Sequence, residues 1–227
     1  MLDVERSEAI YWVRSARQIP HFEMAAPLRL VVHGWMAARG VDLVHAAAVG
    51  SGDGCIILVG RAGAGKSWAT LAAAEHGLRI LADDYCLAVP GRPPRIASVY
   101  NAAKTHADAL ERLPFLDPMV SNPNRPDDDK AVYFLHEHLP DRLLLEADLR
   151  AVVVPRRSPR KGTAASRASR AAALAALAPS TILQFPASDA ATFERLTALV
   201  RDVPSYFLDV GSDLGSIGPA IAALLDG

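Results

Sequence analysis

One short glycine-rich segment constrains the fold of this chain more than any other feature. Residues 60–67 read Gly-Arg-Ala-Gly-Ala-Gly-Lys-Ser, a complete G-x-x-x-x-G-K-[ST] pattern. An apolar run at 55–59 precedes it, and an alanine-rich segment that begins at Trp68 follows it. This order predicts a buried strand, a phosphate-binding loop and a helix whose N-terminus faces an anion.

Each fixed position of the loop suits a polyphosphate. The glycines let backbone N–H groups curve around a phosphate with no Cβ in the way. Lys66 is expected to reach the outer phosphates, and the Ser67 hydroxyl to ligate Mg²⁺. We therefore predict that a nucleoside triphosphate is held by the segment Gly60, Arg61, Ala62, Gly63, Ala64, Gly65, Lys66, Ser67 and Trp68.

Composition limits the classes of protein that this chain can belong to. Its 227 residues are 51% hydrophobic with a formal net charge of −1, which predicts one globular domain and neither a nucleic-acid nor a membrane partner. No stretch approaches the roughly 20 apolar residues of a membrane span. Cys55 and Cys86 lie in apolar runs, as expected for buried free thiols, and the N-terminus lacks a signal-peptide core. These features favour a cytoplasmic location.

The pattern of elements predicts an α/β fold with a mixed sheet. Residues 1–40 are interpreted as an N-terminal extension, with a strand pair or arm over 1–24 and a helix over 28–39, packed on a core of residues 41–227. Residues 41–49 are predicted to form one strand, joined to the strand before the loop by a tight turn at Ser51-Gly52-Asp53-Gly54. Strands outnumber helices around the loop, which argues against a plain doubly wound sheet.

Two further segments are assigned from their composition. Residues 103–112 are predicted to be helical. The run 155–170 carries six basic residues and no acid. It is interpreted as a solvated, mobile loop that can act as a lid, or else as a segment that binds an acidic peptide or a carboxy-terminus.

Asp83-Asp84, sixteen positions after the loop, is the second informative motif. It ends a short apolar strand at 79–82, and phosphoryl transfer needs an acid near the loop to hold Mg²⁺ and a group to accept the proton of the attacking hydroxyl. We predict that one aspartate serves each role. His45, in the apolar run 43–49, is either a core histidine or, if its strand neighbours the loop strand, a residue that stands near Asp83 or Asp84.

The order of His45, Gly60–Ser67 and Ala82-Asp83-Asp84 resembles the catalytic core of the bacterial HPr kinase/phosphorylase family over about residues 41–90. The resemblance implies a phosphate-loop core of the HPr kinase and phosphoenolpyruvate-carboxykinase-like type. It implies that Lys66 and the loop hold ATP, that Ser67 and Asp83 serve Mg²⁺, and that Asp84 is the general base toward a serine hydroxyl, assisted by His45.

Departures from that family change the phosphoryl acceptor that we expect for this chain. The family's Glu-x-Arg-Gly signature is missing, with residues 98–104 in its approximate place, and its large N-terminal domain has no counterpart in these residues. The chain looks more like short HPr-kinase-like proteins associated with lasso peptides, on the basis of residues 28–48, 98–104 and 179–184. Those proteins phosphorylate a C-terminal serine of the precursor. Oligomers are common in the wider family, so a homo-oligomer is a further expectation.

The sequence thus predicts an ATP- and Mg²⁺-dependent kinase that phosphorylates a serine of a peptide or small protein. Two alternatives stay open: a kinase for a small metabolite such as free serine or a sugar, and a nucleotide-binding regulator without chemistry. Lys104 and Lys130 are candidates for contacts with the substrate or the transferring phosphoryl group, or else solvated surface lysines.

Overall fold

The computed structural model describes residues 1–52, 54–126, 129–185 and 188–227, and is built around a large mixed sheet. The strands are β1 (Leu2–Asp3), β2 (Glu8–Ala9), β3 (Asp42–Val44), β4 (Ala46–Ser51), β5 (Gly54–Val59), β6 (Arg79–Ala82), β7 (Cys86–Val89), β8 (Arg95–Ser98), β9 (Ala102–Thr105), β10 (Ala131–Phe134), β11 (Glu146–Arg157), β12 (Ala164–Arg167) and β13 (Ser205–Val210). The α-helices are α1 (His21–Ala25), α2 (Arg29–Ala37), α3 (Lys66–Glu75), α4 (Ala107–Arg112), α5 (Leu135–His138), α6 (Arg170–Ile182), α7 (Ala190–Asp202) and α8 (Ile217–Leu225). Short 3₁₀ turns lie at Ala16–Gln18, Pro114–Met119, Pro140–Arg142 and Leu214–Ser216.

The central sheet mixes parallel and antiparallel strands. Its order is β3-β7-β8-β11-β5-β4-β6, with β13 paired to β11 and β12 paired to β13. Strand β11 runs parallel to β5 and β13, whereas β4 lies antiparallel between β5 and β6. The predicted α/β class with a mixed sheet is confirmed. The predicted hairpin of β4 and β5 is also present, although its turn residue Asp53 lies outside the described residues.

Helices cover both faces of the sheet because its central strands are apolar on both sides. In β5, Cys55, Ile57 and Val59 face one core with α6 and α7, whereas Ile56 and Leu58 face a second core with α3 and α8. All five side chains are fully buried. The strand that leads into the glycine-rich loop is therefore fixed from both faces.

The segment 103–112 corrects a prediction, because only its second half is helical. Ala102–Thr105 forms β9, which pairs with β10 in a separate two-stranded sheet with Lys104 opposite Val132. All four residues of β9 are buried beside α3 and the Asp83 strand end. Tertiary pairing here overrides a local pattern that is compatible with a helix.

Two other predicted segments also differ from the structure. The single strand over 41–49 is wrong: the chain bends at His45, and β3 pairs with β7 while β4 pairs with β5 and β6. The mobile loop over 155–170 is wrong as well, since this segment holds the end of β11 and the whole of β12. Two of its arginines have partners: Arg156 pairs with Asp209, and Arg167 lies over the Tyr206 ring.

The N-terminal residues form the predicted strand pair and helix. Strands β1 and β2 are antiparallel, and α2 packs against β3 at the edge of the sheet, where His33 stacks on Phe185. Leu28 and Gly40, which flank α2, both have positive φ. Within the described ranges, no helix is long and apolar enough to cross a membrane.

Candidate active site

The topology brings several strand ends to one edge of the sheet. Strands β5, β11 and β13 are parallel, and β6 shares their direction because both β5 and β6 are antiparallel to β4. The segments that follow their carboxyl ends meet at this edge, the usual place for a site in open α/β sheets. The N-terminal end of β4 reaches the same edge, which brings His45 close to the residues after β5 and β6.

The glycine-rich loop has the backbone conformation that its sequence predicts. Gly60, Gly63 and Gly65 have φ of 148°, 80° and 96°, values that side-chain-bearing residues rarely adopt. Gly65 immediately precedes α3, so the first free N–H groups of that helix face the loop. Lys66 is 6% exposed, and its Nζ donates to the carbonyls of Gly60 at 2.7 Å and Arg61 at 3.4 Å. Burial lowers the pKa of Lys66, and the charges of Asp84 and Asp83 partly offset that effect.

Ser67 and Asp83 are joined directly. The Ser67 hydroxyl donates to Asp83 Oδ2 at 3.1 Å, and the Lys104 backbone N–H donates to the same oxygen at 2.9 Å. Asp83 is 2% exposed, yet its Oδ1 has no hydrogen-bond partner within the described part of the chain. Burial, reinforced by the charge of Asp84, raises the pKa of Asp83 to about 6.

This arrangement fits a divalent cation. A buried carboxylate oxygen without a partner and a neighbouring hydroxyl are the hard oxygen ligands that Mg²⁺ takes, and Mg²⁺ commonly uses one or two protein ligands plus substrate phosphates and water. Over the described residues, no cluster of three or more His, Cys, Asp or Glu side chains forms a complete metal cage. The residues present therefore suit a cation that arrives with a phosphate ligand.

Asp84 has two donors on its two carboxylate oxygens. His45 Nε2 lies 3.3 Å from Oδ1, and Lys104 Nζ lies 2.6 Å from Oδ2. Burial alone would raise the pKa of Asp84, but the His45 hydrogen bond and the Lys104 charge outweigh it and hold this pKa well below its ordinary value. In this state Asp84 is fully ionised and its proton affinity is low.

The site opens into a cavity of about 430 Å³. It brings together all three predicted catalytic side chains, both candidate lysines and most of the loop; its lining is His45, Ala62–Trp68, Asp84, Lys104–His106, Arg112, Lys130, Arg157–Pro159 and Val210–Ser212. Gly60 and Arg61 line a second cavity instead, of about 570 Å³, on the side of the loop that faces α6. The two cavities share Ala62 and Ala64.

Sequence reasoning missed several residues of this site. Arg112 and Arg157 line the main cavity, and Arg112 also lies over the Trp68 ring. The signal for Arg157 was its place in the basic run, whereas nothing local marked Arg112. Gln184 was noted only as part of a resembling segment, yet its side-chain amide lies 3.0 Å from His45 Nδ1.

Comparisons with known proteins add little at the level of sequence. The sequence matches no protein-family model, and no curated protein matches it. Among solved structures, the HPr(Ser) kinase/phosphatase from Coxiella burnetii is similar with a TM-score of 0.43 and 9% sequence identity, over 82% of this chain and 94% of that one. The functional assignment therefore rests on the site itself.

Proposed function

We propose that this chain is an ATP- and Mg²⁺-dependent kinase of the HPr-kinase-like type that phosphorylates a serine hydroxyl. One observation carries the proposal: the cavity is lined by most of the glycine-rich loop and by the ionised Asp84, and directly behind the loop serine lies the buried Asp83, whose Oδ1 has no partner among the described residues. These are the parts that phosphoryl transfer to an alcohol needs, namely phosphate binding, a metal site and a proton acceptor.

The donor side is formed by the loop and α3. The loop N–H groups and Lys66 bind the β- and γ-phosphates, for which Lys66 exchanges its contacts with the Gly60 and Arg61 carbonyls. Ser67 and Asp83 would hold Mg²⁺, which would supply positive charge beside the phosphates. Asp83 Oδ1, which has no hydrogen-bond partner among the described residues, and the Ser67 hydroxyl would be the ligand atoms.

Asp84 is the proton acceptor. The acceptor oxygen forms a bond to the γ-phosphorus, the bond between that phosphorus and the bridging oxygen of ADP breaks, and the hydroxyl proton passes to Asp84. While Asp84 is paired with Lys104 at 2.6 Å, it is a weak base. The γ-phosphoryl group competes for the Lys104 ammonium, so ATP binding loosens this ion pair and raises the proton affinity of Asp84. Lys104 then stabilises the charge of the transferring group.

The acceptor that fits this site best is a peptide or small protein. The second cavity adjoins the main one at Ala62 and Ala64 and continues along α6. Its lining contains none of the reacting side chains, so it offers room for the residues that flank an acceptor serine rather than for the serine itself. A metabolite such as free serine or a sugar would need only a small closed pocket beyond Asp84. Within the peptide class, the resemblance to lasso-peptide-associated proteins directs the first trials to a C-terminal serine.

Incubation with radiolabelled ATP, Mg²⁺ and a panel of serine peptides tests the proposal. The panel pairs each C-terminal serine peptide with the same peptide ending in alanine, and includes free serine. Lys66→Ala should abolish ATP binding and labelling together, whereas Asp84→Asn should keep ATP binding and lose labelling by at least about a hundredfold. An Asp84→Asn variant that labels as well as the parent would refute the kinase assignment. Tight ATP binding by a parent that labels nothing would instead favour a regulator.

A further inference from the structure

His45 is held in place by the last turn of α6. At the bend between β3 and β4, the His45 backbone N–H has left the strand ladder and donates to Thr181 Oγ1 at 3.2 Å. Thr181 is fully buried, so this contact fixes the backbone of His45 from a residue 136 positions away. One turn further, Gln184 reaches the imidazole of the same residue.

A chain of three hydrogen bonds ends at Asp84. The Tyr85 hydroxyl donates to Gln184 Oε1 at 2.7 Å, Gln184 Nε2 lies 3.0 Å from His45 Nδ1, and His45 Nε2 lies 3.3 Å from Asp84 Oδ1. The Tyr85 and His45 rings also touch, with centroids 5.4 Å apart. The side chains therefore form one connected network beside the reacting groups.

The direction of each hydrogen bond follows from what each atom can do. An ionised carboxylate only accepts, so His45 Nε2 must carry the proton that it donates to Asp84. Nδ1 lies 3.0 Å from Gln184 Nε2, which only donates, so Nδ1 is the ring nitrogen that carries the lone pair and needs a donor. Gln184 provides that donor, since its carbonyl oxygen already accepts from Tyr85. The other tautomer would place a lone pair of Nε2 against the carboxylate and leave Nδ1–H against an amide N–H.

We propose that Gln184 is a positioning residue that holds His45 as the Nε2–H tautomer, with Tyr85 fixing the orientation of the Gln184 amide. Through His45, this network fixes Oδ1 of Asp84 and leaves Oδ2, the oxygen bound by Lys104, for the acceptor proton. The inference rests on the proposed kinase function for its catalytic consequence. The tautomer itself is a property of the protein without substrate.

The position of Gln184 allows its effect on His45 to be measured separately from any effect on folding. Gln184 lies just after the end of α6, is exposed, and follows Leu183, which is 84% exposed. Loss of its side chain removes little packing, so a Gln184→Ala variant is expected to fold as the parent does. The remote exposed residue Gln18 offers a matched control, Gln18→Ala.

The first test is the protonation of His45 without nucleotide. In protein labelled with ¹⁵N-histidine, long-range ¹H–¹⁵N spectra report which ring nitrogen carries the proton, and His45→Asn identifies the signal by its disappearance. The parent should show Nε2–H with an unprotonated Nδ1. Gln184→Ala should give a mixture of tautomers, and Gln184→Glu, which replaces the donor by an acceptor of the same length, should protonate Nδ1. A parent protonated at Nδ1, or variants with unchanged signals, would overturn the proposal.

The second test is kinetic. Gln184→Ala should lower kcat about tenfold at unchanged KM for ATP, as expected when one hydrogen bond of ordinary strength no longer supports the transition state. Tyr85→Phe should lower kcat less, and Gln18→Ala not at all. A kcat for Gln184→Ala equal to that of the parent would overturn the positioning role. A parent without any transferase activity would refute the proposed function, while the spectra would still decide the tautomer.

Discussion

Asp83→Asn gives the sharpest test of the electrostatics of the site. Asp83 is 2% exposed, and burial together with the charge of Asp84 raises its pKa from 3.8 to about 6. A difference of this size corresponds to about 3 kcal/mol of free energy that opposes folding when the carboxylate is ionised. Asparagine keeps the shape and the oxygen that accepts from Ser67 and Lys104, but carries no charge.

The sign of the pH dependence follows from the raised pKa. The folded state binds this proton more tightly than the unfolded chain, so protonation of Asp83 stabilises the fold. That contribution is fully present below the unfolded pKa of 3.8 and is lost as the pH rises through about 6. The advantage of asparagine over aspartate is therefore largest near pH 8, falls to about half near pH 5 and vanishes below pH 4.

Urea unfolding in metal-free buffer measures the effect. The Asp83→Asn variant should be about 1–3 kcal/mol more stable than the parent at pH 8, less than the full figure because a buried amide N–H still lacks a partner. Asp141→Asn, which removes a charge at an exposed position, should change the free energy of unfolding by less than about 0.5 kcal/mol. An Asp83→Asn variant that is less stable than the parent at pH 8 would refute the view that the ionised Asp83 carboxylate opposes folding when no cation is bound.

Three further tests use other charged groups of the chain. Lys104→Met should lower kcat at least about tenfold, because in the proposed reaction the ammonium beside Asp84 also stabilises the transferring group, and unchanged initial rates would contradict that role. Arg195→Ala should cost about 3–5 kcal/mol in urea unfolding, because Asp42, 2% exposed, would lose its bidentate partner; a loss under about 1 kcal/mol would speak against it. Calorimetry should show Mg²⁺-ATP binding to the parent weakening as the pH falls through about 6, where Asp83 takes up a proton, and no such trend in Asp83→Asn.

The donor side of the site was predictable because its signals are local. An apolar run, a glycine pattern and an alanine-rich run are contiguous in sequence, and they became β5, the loop and α3. An acid after the next apolar strand was expected near the loop, but its pairing as Asp83 with Ser67 was expected only from the family resemblance, and the structure places β4 between β5 and β6. In these places local propensity and tertiary structure agree.

The partners of the candidate catalytic groups were not predictable, because they come from distant segments. The bend at His45 depends on Thr181, and its imidazole depends on Gln184, 139 positions away. Lys104 reaches Asp84 only because 102–105 pairs with β10 rather than continuing into a helix. Long-range pairing of this kind leaves no periodicity in a single sequence.

The charge of the cavity shows why the net charge of the whole chain was a poor guide to the site. A formal net charge of −1 gave no reason to expect an anion site, yet the cavity gathers five cationic side chains, which are Lys66, Lys104, Arg112, Lys130 and Arg157. Arg157 lines the cavity because it ends β11, which runs parallel to β5, and both strands therefore end at the edge that holds the glycine-rich loop. Its composition had predicted a loop at this end of β11. Parallel strands bring their carboxyl ends to one edge of the sheet, so basic residues at those ends create a local positive potential. Acidic residues elsewhere balance these charges in the net charge of the chain but do not remove the local potential. A cavity of this charge suits the triphosphate of ATP, and the acceptor has to be sought among molecules that fit beside it.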